Sequence, residues 1–163
     1  MITDWSHPTW QLIHLIAYKL VHNDADAKVA FSLIKELFSV LPCPICKRHA
    51  LSELKKQSVP VDTKQGLAVA MWQFHNLVNQ RTGKKPFPWR DYIAKYSEAD
   101  PLPAIVRFTK VFRNLASLFR NNLSMNNLPR VSEKIIQWCR YKSGSPEPRK
   151  VRRMGQSIGM NFT

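Results

Sequence analysis

An all-α fold is what this sequence predicts. Apolar residues recur at every third or fourth position in one segment after another. No stretch alternates apolar and polar residues as a half-buried strand would. Clusters of proline, glycine and asparagine fall between the periodic segments, where helices have to stop.

Taken in order, a first helix runs from Trp10 through Ile13, His14, Ala17 and Val21, with Pro8 and Thr9 suited to its start. A second opens near Asn23 or Asp24, carries Ala30, Leu33, Ile34, Leu37 and Leu41 on one face, and is stopped by Pro42. A short third helix begins at "LPCPICKRHA", Leu41 to Ala50, because proline suits a first helical turn. The stretch "QSVPVDTKQG" is a loop. A fourth helix holds Leu67, Ala70, Met71, Phe74 and Val78 and ends near Gly83, an expected C-cap. "KKPFPW" is extended, and Trp89, Tyr92, Ile93 and Tyr96 make a short fifth helix. "DPLP" at Asp100 reads as a boundary. Beyond it Ile105, Phe108, Phe112, Leu115 and Phe119 form another stripe, "NNLSMNNLP" breaks it, and Val131, Ile135 and Trp138 mark a last helix. From Lys142 the chain is polar and basic and reads as a tail.

At 163 residues and 44% hydrophobic, the chain suits one domain with a real core. Its 25 basic residues against 11 acidic ones give a net charge of +14, which favours anionic partners without choosing among them. No run approaches the roughly 18 apolar residues of a membrane span, so no membrane role is expected. "MITDWSHPTW" has neither the basic start nor the apolar stretch of a signal peptide. Three cysteines do not make a disulfide framework.

Cys43 and Cys46 stand two residues apart, each just after a proline, with Lys47, Arg48 and His49 behind them. A helix N-terminus and neighbouring cations favour a thiolate, and the spacing lets two sulfurs meet across one turn. A redox pair fits best on that ground. Zinc is the rival, with Cys43, Cys46 and His49 as ligands and His75 or Cys139 as a fourth. Two cysteines without chemistry come third. A thioredoxin-like home for a redox pair needs strands, which are missing here, so an electron acceptor held by helices is required.

The segment "FHNLVNQRTGKKPFPW" offers one. His75 and Asn79 share a helix face, with Asn76 and Val78 flanking, a set that can read a purine edge or a ribose. Arg81, Lys84 and Lys85 follow, where a diphosphate would be neutralised, and Trp89 can stack on an aromatic ring. Trp10 and His14 also share a face, and His14 interrupts an apolar stripe, so it points inward and needs a partner.

W-x-x-x-H, then C-x-x-C at a helix start, then H-N-x-V-N with a lysine-rich turn: this succession over residues 5 to 97 resembles the Erv/ALR family of FAD-linked sulfhydryl oxidases, and most of all its short members in large DNA viruses. The resemblance implies a four-helix bundle plus a short fifth helix holding FAD, often paired as a homodimer. It divides the chain into an oxidase domain over 1–97, additional helices over 98–141 and a basic tail over 142–163. Carried onto this sequence, Cys46 lies next to the flavin and Cys43 exchanges with substrate. Trp10, His14 and Tyr18 line the flavin side, and His75, Asn76, Val78, Asn79 and Lys84 hold the adenosine and phosphates, with Lys85 and Trp89 beside them.

The implied activity is disulfide formation in protein dithiols, supplied directly or by a thioredoxin-like carrier, with electrons passing through FAD to dioxygen to give hydrogen peroxide. The competing class is a zinc-stabilised basic module on nucleic acid or an acidic partner; nucleic acid is not expected under the oxidase reading. The implied location is host cytoplasm at virus assembly sites, and the virion, for a viral protein, or the mitochondrial intermembrane space for a cellular one. Two departures stand out. Trp72, three residues before His75, does not match the family's usual tryptophan, and Cys139 alone cannot form a second, shuttling pair.

Overall fold

The computed structural model describes residues 4–144. It contains seven α-helices and, among the described residues, no strand. Most of the expected tail lies outside that range; Lys142 and Ser143 close the last helix.

α1 (Ser6–Leu15) begins ahead of the expected Trp10. Asp4 Oδ1 accepts from the Ser6 and His7 N–H groups at 3.2 and 3.5 Å, and Pro8 is tolerated in a first turn. The apolar pattern could not show this because that turn is largely polar. After Leu15 the helix widens into a π-helical turn, Ile16–Leu20, closed by Val21 N–H donating to Ile16 O at 3.0 Å. The extra residue keeps Ile16, Ala17, Leu20 and Val21 buried together.

α2 (Asp24–Ser39) is capped by Asn23, whose side chain accepts from Asp26 N–H at 2.8 Å, while Asp26 accepts from His22 N–H at 2.9 Å. Its stripe of Ala30, Leu33, Ile34 and Leu37 is buried as the spacing predicts. α3 (Pro44–Lys55) is longer than expected, with Ala50 and Leu54 as its buried positions. α4 (Lys64–Arg81) starts at Thr63, which accepts from Gly66 N–H at 3.1 Å. A Cβ on Gly66 would lie 2.0 Å from Pro60 O, so the loop before α4 needs a glycine there. Gly83, at φ +70°, turns the chain out of α4 in a conformation that favours glycine. α5 (Trp89–Ser97) follows the extended "KKPFP".

The "DPLP" stretch is a helix start: Asp100 accepts from Leu102 N–H at 2.9 Å and Pro101 opens α6 (Pro101–Leu118). A 3-10 turn at Leu123–Met125 leads to α7 (Leu128–Ser143).

α1, α2, α4 and the π turn form the middle of the molecule. α3 packs on α2 and α5 on the π turn; α6 lies along α1, and α7 against α2 and α6. One apolar core runs without interruption from Leu12 to Cys139, taking in Ile105, Phe108, Phe112 and Leu115 of α6 and Val131 and Ile135 of α7. Each such side chain contributes roughly 1.5–3 kcal/mol of burial. Several of the basic residues of α6 and α7 pin helices together: Arg113 to Glu133 at 3.3 Å, Lys134 to Glu36 at 2.6 Å and Lys142 to Asp26 at 2.6 Å. The first two are open to solvent and add little each, while Lys142 and Asp26 are largely sheltered from it.

Candidate active site

Cys43 is the N-cap of α3, and its Sγ accepts from Cys46 N–H at 3.2 Å. The two sulfurs are joined in a disulfide. Pro44 fixes the first turn, so the pair sits on the positive end of the helix dipole. Both cysteines are half-buried, and Ile45 between them is 63% exposed. Among the described residues no group of three or more His, Cys, Asp or Glu side chains comes together to hold a metal. Cys139, a fourth ligand in the zinc reading, is fully buried in the core, and burial pushes its thiol pKa up.

Cys46 opens into an apolar cleft of about 230 Å³ walled by Trp10, Phe38, His49, Phe74 and Val78. Trp10 meets Phe74 edge-on at 5.3 Å and Phe38 at 6.3 Å, which fixes that wall. His49, one turn beyond Cys46, packs on Phe74 at 5.8 Å and lies 3.8 Å from Glu53. Burial and then the Arg81 charge hold its pKa low, against the pull of Glu53. Arg81 borders this cleft, while Lys84 and Lys85 border the adjoining one.

Trp10 also borders a second cleft, of about 250 Å³, with His75, Asn79, Lys84, Lys85, Lys95 and Tyr96. No Asp or Glu lines it. Trp10 stacks on His75 at 4.2 Å and 4° between planes. Behind His75 lies His14, fully buried, with Nε2 at 2.7 Å from His75 Nδ1. Burial first, then Lys84, Lys95 and His7, bring the His75 pKa down to about 4. Burial, His75 and Lys95 hold His14 well below the usual range, so both rings are neutral at pH 7. Tyr96 is pushed up to about 12 by burial and stays protonated.

The remaining sequence-predicted residues divide. Val78 lies in the cleft with Cys46 and not among the polar groups. His14 lines neither cleft; it lies behind their walls, bonded to His75 and packed on Trp10 at 5.6 Å and Tyr96 at 5.3 Å. Tyr18 and Trp89 border a third, wider opening of about 800 Å³ with Asp24, Thr63 and Lys64. There Trp89 stacks on Tyr92 at 4.9 Å. Asn76 has its amide engaged within the protein: Oδ1 accepts from Phe87 N–H at 2.7 Å, and Nδ2 donates to Phe87 O at 2.9 Å. Trp72 Nε1 donates to the same carbonyl at 2.7 Å, which accounts for that tryptophan. Together they hold the turn that carries Lys84 and Lys85. Sequence reasoning missed Lys95 and Phe74 as site residues. Lys95 had no signal beyond its place one residue before Tyr96, and Phe74 read as core.

A disulfide at a helix start, opening on an apolar cleft that shares Trp10 with a lysine-lined one, defines a helical dithiol-redox site. The model of the Erv1/Alr family matches residues 7–98, and the chain belongs to that family. An African swine fever virus protein named "FAD-linked sulfhydryl oxidase" is 29% identical over 99 residues, which are 58% of this chain and 82% of that protein. A rice (Oryza sativa subsp. japonica) protein named "FAD-linked sulfhydryl oxidase ERV1" is 28% identical over 97 residues, 56% of this chain and 48% of that protein. No solved structure matches the chain.

FAD joins a flat, largely apolar ring system to a charged diphosphate. The two clefts offer the same division: an apolar one at the sulfur of Cys46, and one lined with lysines and free of carboxylates. The residues present therefore fit the group.

Proposed function

We propose that this chain is an FAD-linked thiol oxidase whose working dithiol is Cys43–Cys46. The observation that carries the reading is the position of Cys46, at a helix start and in the wall of the apolar cleft that Trp10 shares with the lysine-lined one. In this reading Trp10, Phe74 and Val78 flank the flavin ring, and His75, Asn79, Lys84 and Lys85 hold the phosphate-bearing arm. Asn76 supports the turn instead of touching ligand, and Tyr18 and Trp89 stand apart from Cys46.

A substrate thiolate attacks Cys43 Sγ, the outer sulfur, and Cys46 leaves as a thiolate. A second substrate thiolate attacks the substrate sulfur of the mixed disulfide. Cys43 then leaves, the substrate disulfide is complete, and two electrons rest on the Cys43/Cys46 dithiol. The N-terminus of α3 stabilises the Cys46 thiolate. FAD, held by His75, Asn79, Lys84 and Lys85 with its ring toward Cys46, would supply the acceptor for that electron pair, with dioxygen as the final oxidant and hydrogen peroxide as its product. The exposed side chain of Ile45 offers an apolar contact to the incoming substrate.

Protein dithiols, direct or through a thioredoxin-like carrier, are the substrates, and the family resemblance adds pairing into a homodimer. The compartment follows the source: virus assembly sites in host cytoplasm, or the mitochondrial intermembrane space. Among the described residues no helix is long and apolar enough to cross a membrane. Purified protein should be yellow and consume oxygen when given a dithiol. Cys46→Ser should keep its flavin absorbance and lose oxygen consumption; turnover in that variant would sink the assignment.

A further inference from the structure

His14 is fully buried, and its Nδ1 is the one buried side-chain polar atom without a partner among the described residues. Its other nitrogen lies 2.7 Å from His75 Nδ1, so one ring donates and the other accepts. Two arrangements are available to neutral rings. If His75 donated from Nδ1, His14 would carry its proton on Nδ1, and a buried N–H would face no acceptor. If His14 donates from Nε2, its Nδ1 is a bare lone pair and every N–H of the pair is either used or open to solvent. Buried donors without acceptors are the rarer and costlier defect.

The second arrangement fixes the outer ring. With Nδ1 accepting, His75 carries its proton on Nε2. That atom has no protein partner and is not among the buried unpartnered ones, so it is reachable from the lysine-lined cleft that His75 borders. The Trp10 indole, parallel to the imidazole at 4.2 Å, holds the ring plane. The titratable groups facing this ring from the cleft are Lys84, Lys85, Lys95 and His7, and none is an acid, so nothing draws a second proton onto it.

We propose that His14 is a positioning residue that locks His75 as an Nε2–H donor into the second cleft, adding a fixed donor beside Lys84, Lys85 and Lys95 where no carboxylate stands, an arrangement suited to acceptor atoms such as phosphate oxygens. The proposal rests on the oxidase reading only for the identity of the ligand; the proton arrangement stands on the protein alone.

Imidazole nitrogen shifts from ¹⁵N NMR of the full chain at pH 7.5 test it first. His75 should show a bare Nδ1 and a protonated Nε2. A proton on Nδ1, or a charged ring, overturns the proposal. FAD titration of two variants tests the consequence. His14→Met fills the space without a donor and should weaken FAD binding roughly fivefold to tenfold, the loss of about one hydrogen bond. His14→Gln, which keeps an N–H donor, should recover affinity to within about twofold, as one hydrogen bond restored. Wild-type affinity in a folded His14→Met, or equal loss in both variants, overturns it. If His14→Met does not fold, the wild-type tautomer still decides. Should the protein bind no FAD while His75 shows the stated proton arrangement, the oxidase reading fails and the tautomer lock survives.

Discussion

Replacing Asn76 with alanine should loosen the turn between α4 and α5 and cost about 2 kcal/mol. The figure follows from the two hydrogen bonds that close on a single residue, Phe87, at 2.7 and 2.9 Å. Each contributes about 1 kcal/mol net. Phe87 O keeps a partner in Trp72 Nε1, so the carbonyl side loses less. Phe87 N–H keeps none, but the residue is only half-buried and water can reach it, which holds the total near the sum of the two bonds. For a chain of this length about 2 kcal/mol lowers Tm by roughly 4–8 °C. Urea melts followed by far-UV circular dichroism read the change directly. Asn76→Asp should cost a similar amount, because one carboxylate oxygen still accepts from Phe87 N–H while the other meets the Phe87 carbonyl. A loss under about 0.5 kcal/mol for Asn76→Ala, with weakened FAD binding, would mean that the amide serves ligand and not the turn.

Gly66→Ala ordinarily favours a helix, but here the new methyl would lie 2.0 Å from Pro60 O, a backbone atom; the variant should lose at least about 2 kcal/mol in the same melts, and a stabilised protein would contradict the geometry. Acid should destabilise the fold. His75 titrates near 6.5 when unfolded and at about 4 when folded, so between those values the unfolded chain binds more protons. Stability is then complete above about pH 6.5 and falls as pH drops toward 4. Buried His14 acts in the same direction, and a urea midpoint that stays level or rises from pH 7 to pH 5 would refute this. Cys139 should react with a thiol reagent only after unfolding, since burial raises its pKa and closes it off; rapid labelling of three thiols in the reduced native protein would show otherwise.

Much of the helical plan was legible because amphipathic spacing and capping residues are local. Asn23 announces a helix that the structure starts one residue later, whereas Thr63 and Asp100, read as loop and boundary, turn out to be the caps of α4 and α6. The π turn left no trace, since an inserted residue keeps the stripe apolar on both sides. Whether α6 stands apart or joins the first core was equally silent: Phe108 and Phe112 would form the same stripe against any apolar neighbour. At the site, Cys43 and Cys46 were readable from proline placement and spacing. The tie of Asn76 to Phe87 was not, because that partner lies eleven residues on and across a turn. Arg81 and Lys84 are close in sequence, yet the end of α4 and Gly83 send them to different clefts.

The seating of α6 along α1 and of α7 along α2 bears on any attempt to borrow the redox unit. The family-matched segment stops at Glu98, short of both helices. Severed there, it would turn the oily flanks of α1 and α2 toward water while leaving its sulfurs and clefts formally intact. A minimal transplant therefore has to carry the last two helices with it, even though neither contributes a side chain to either cleft.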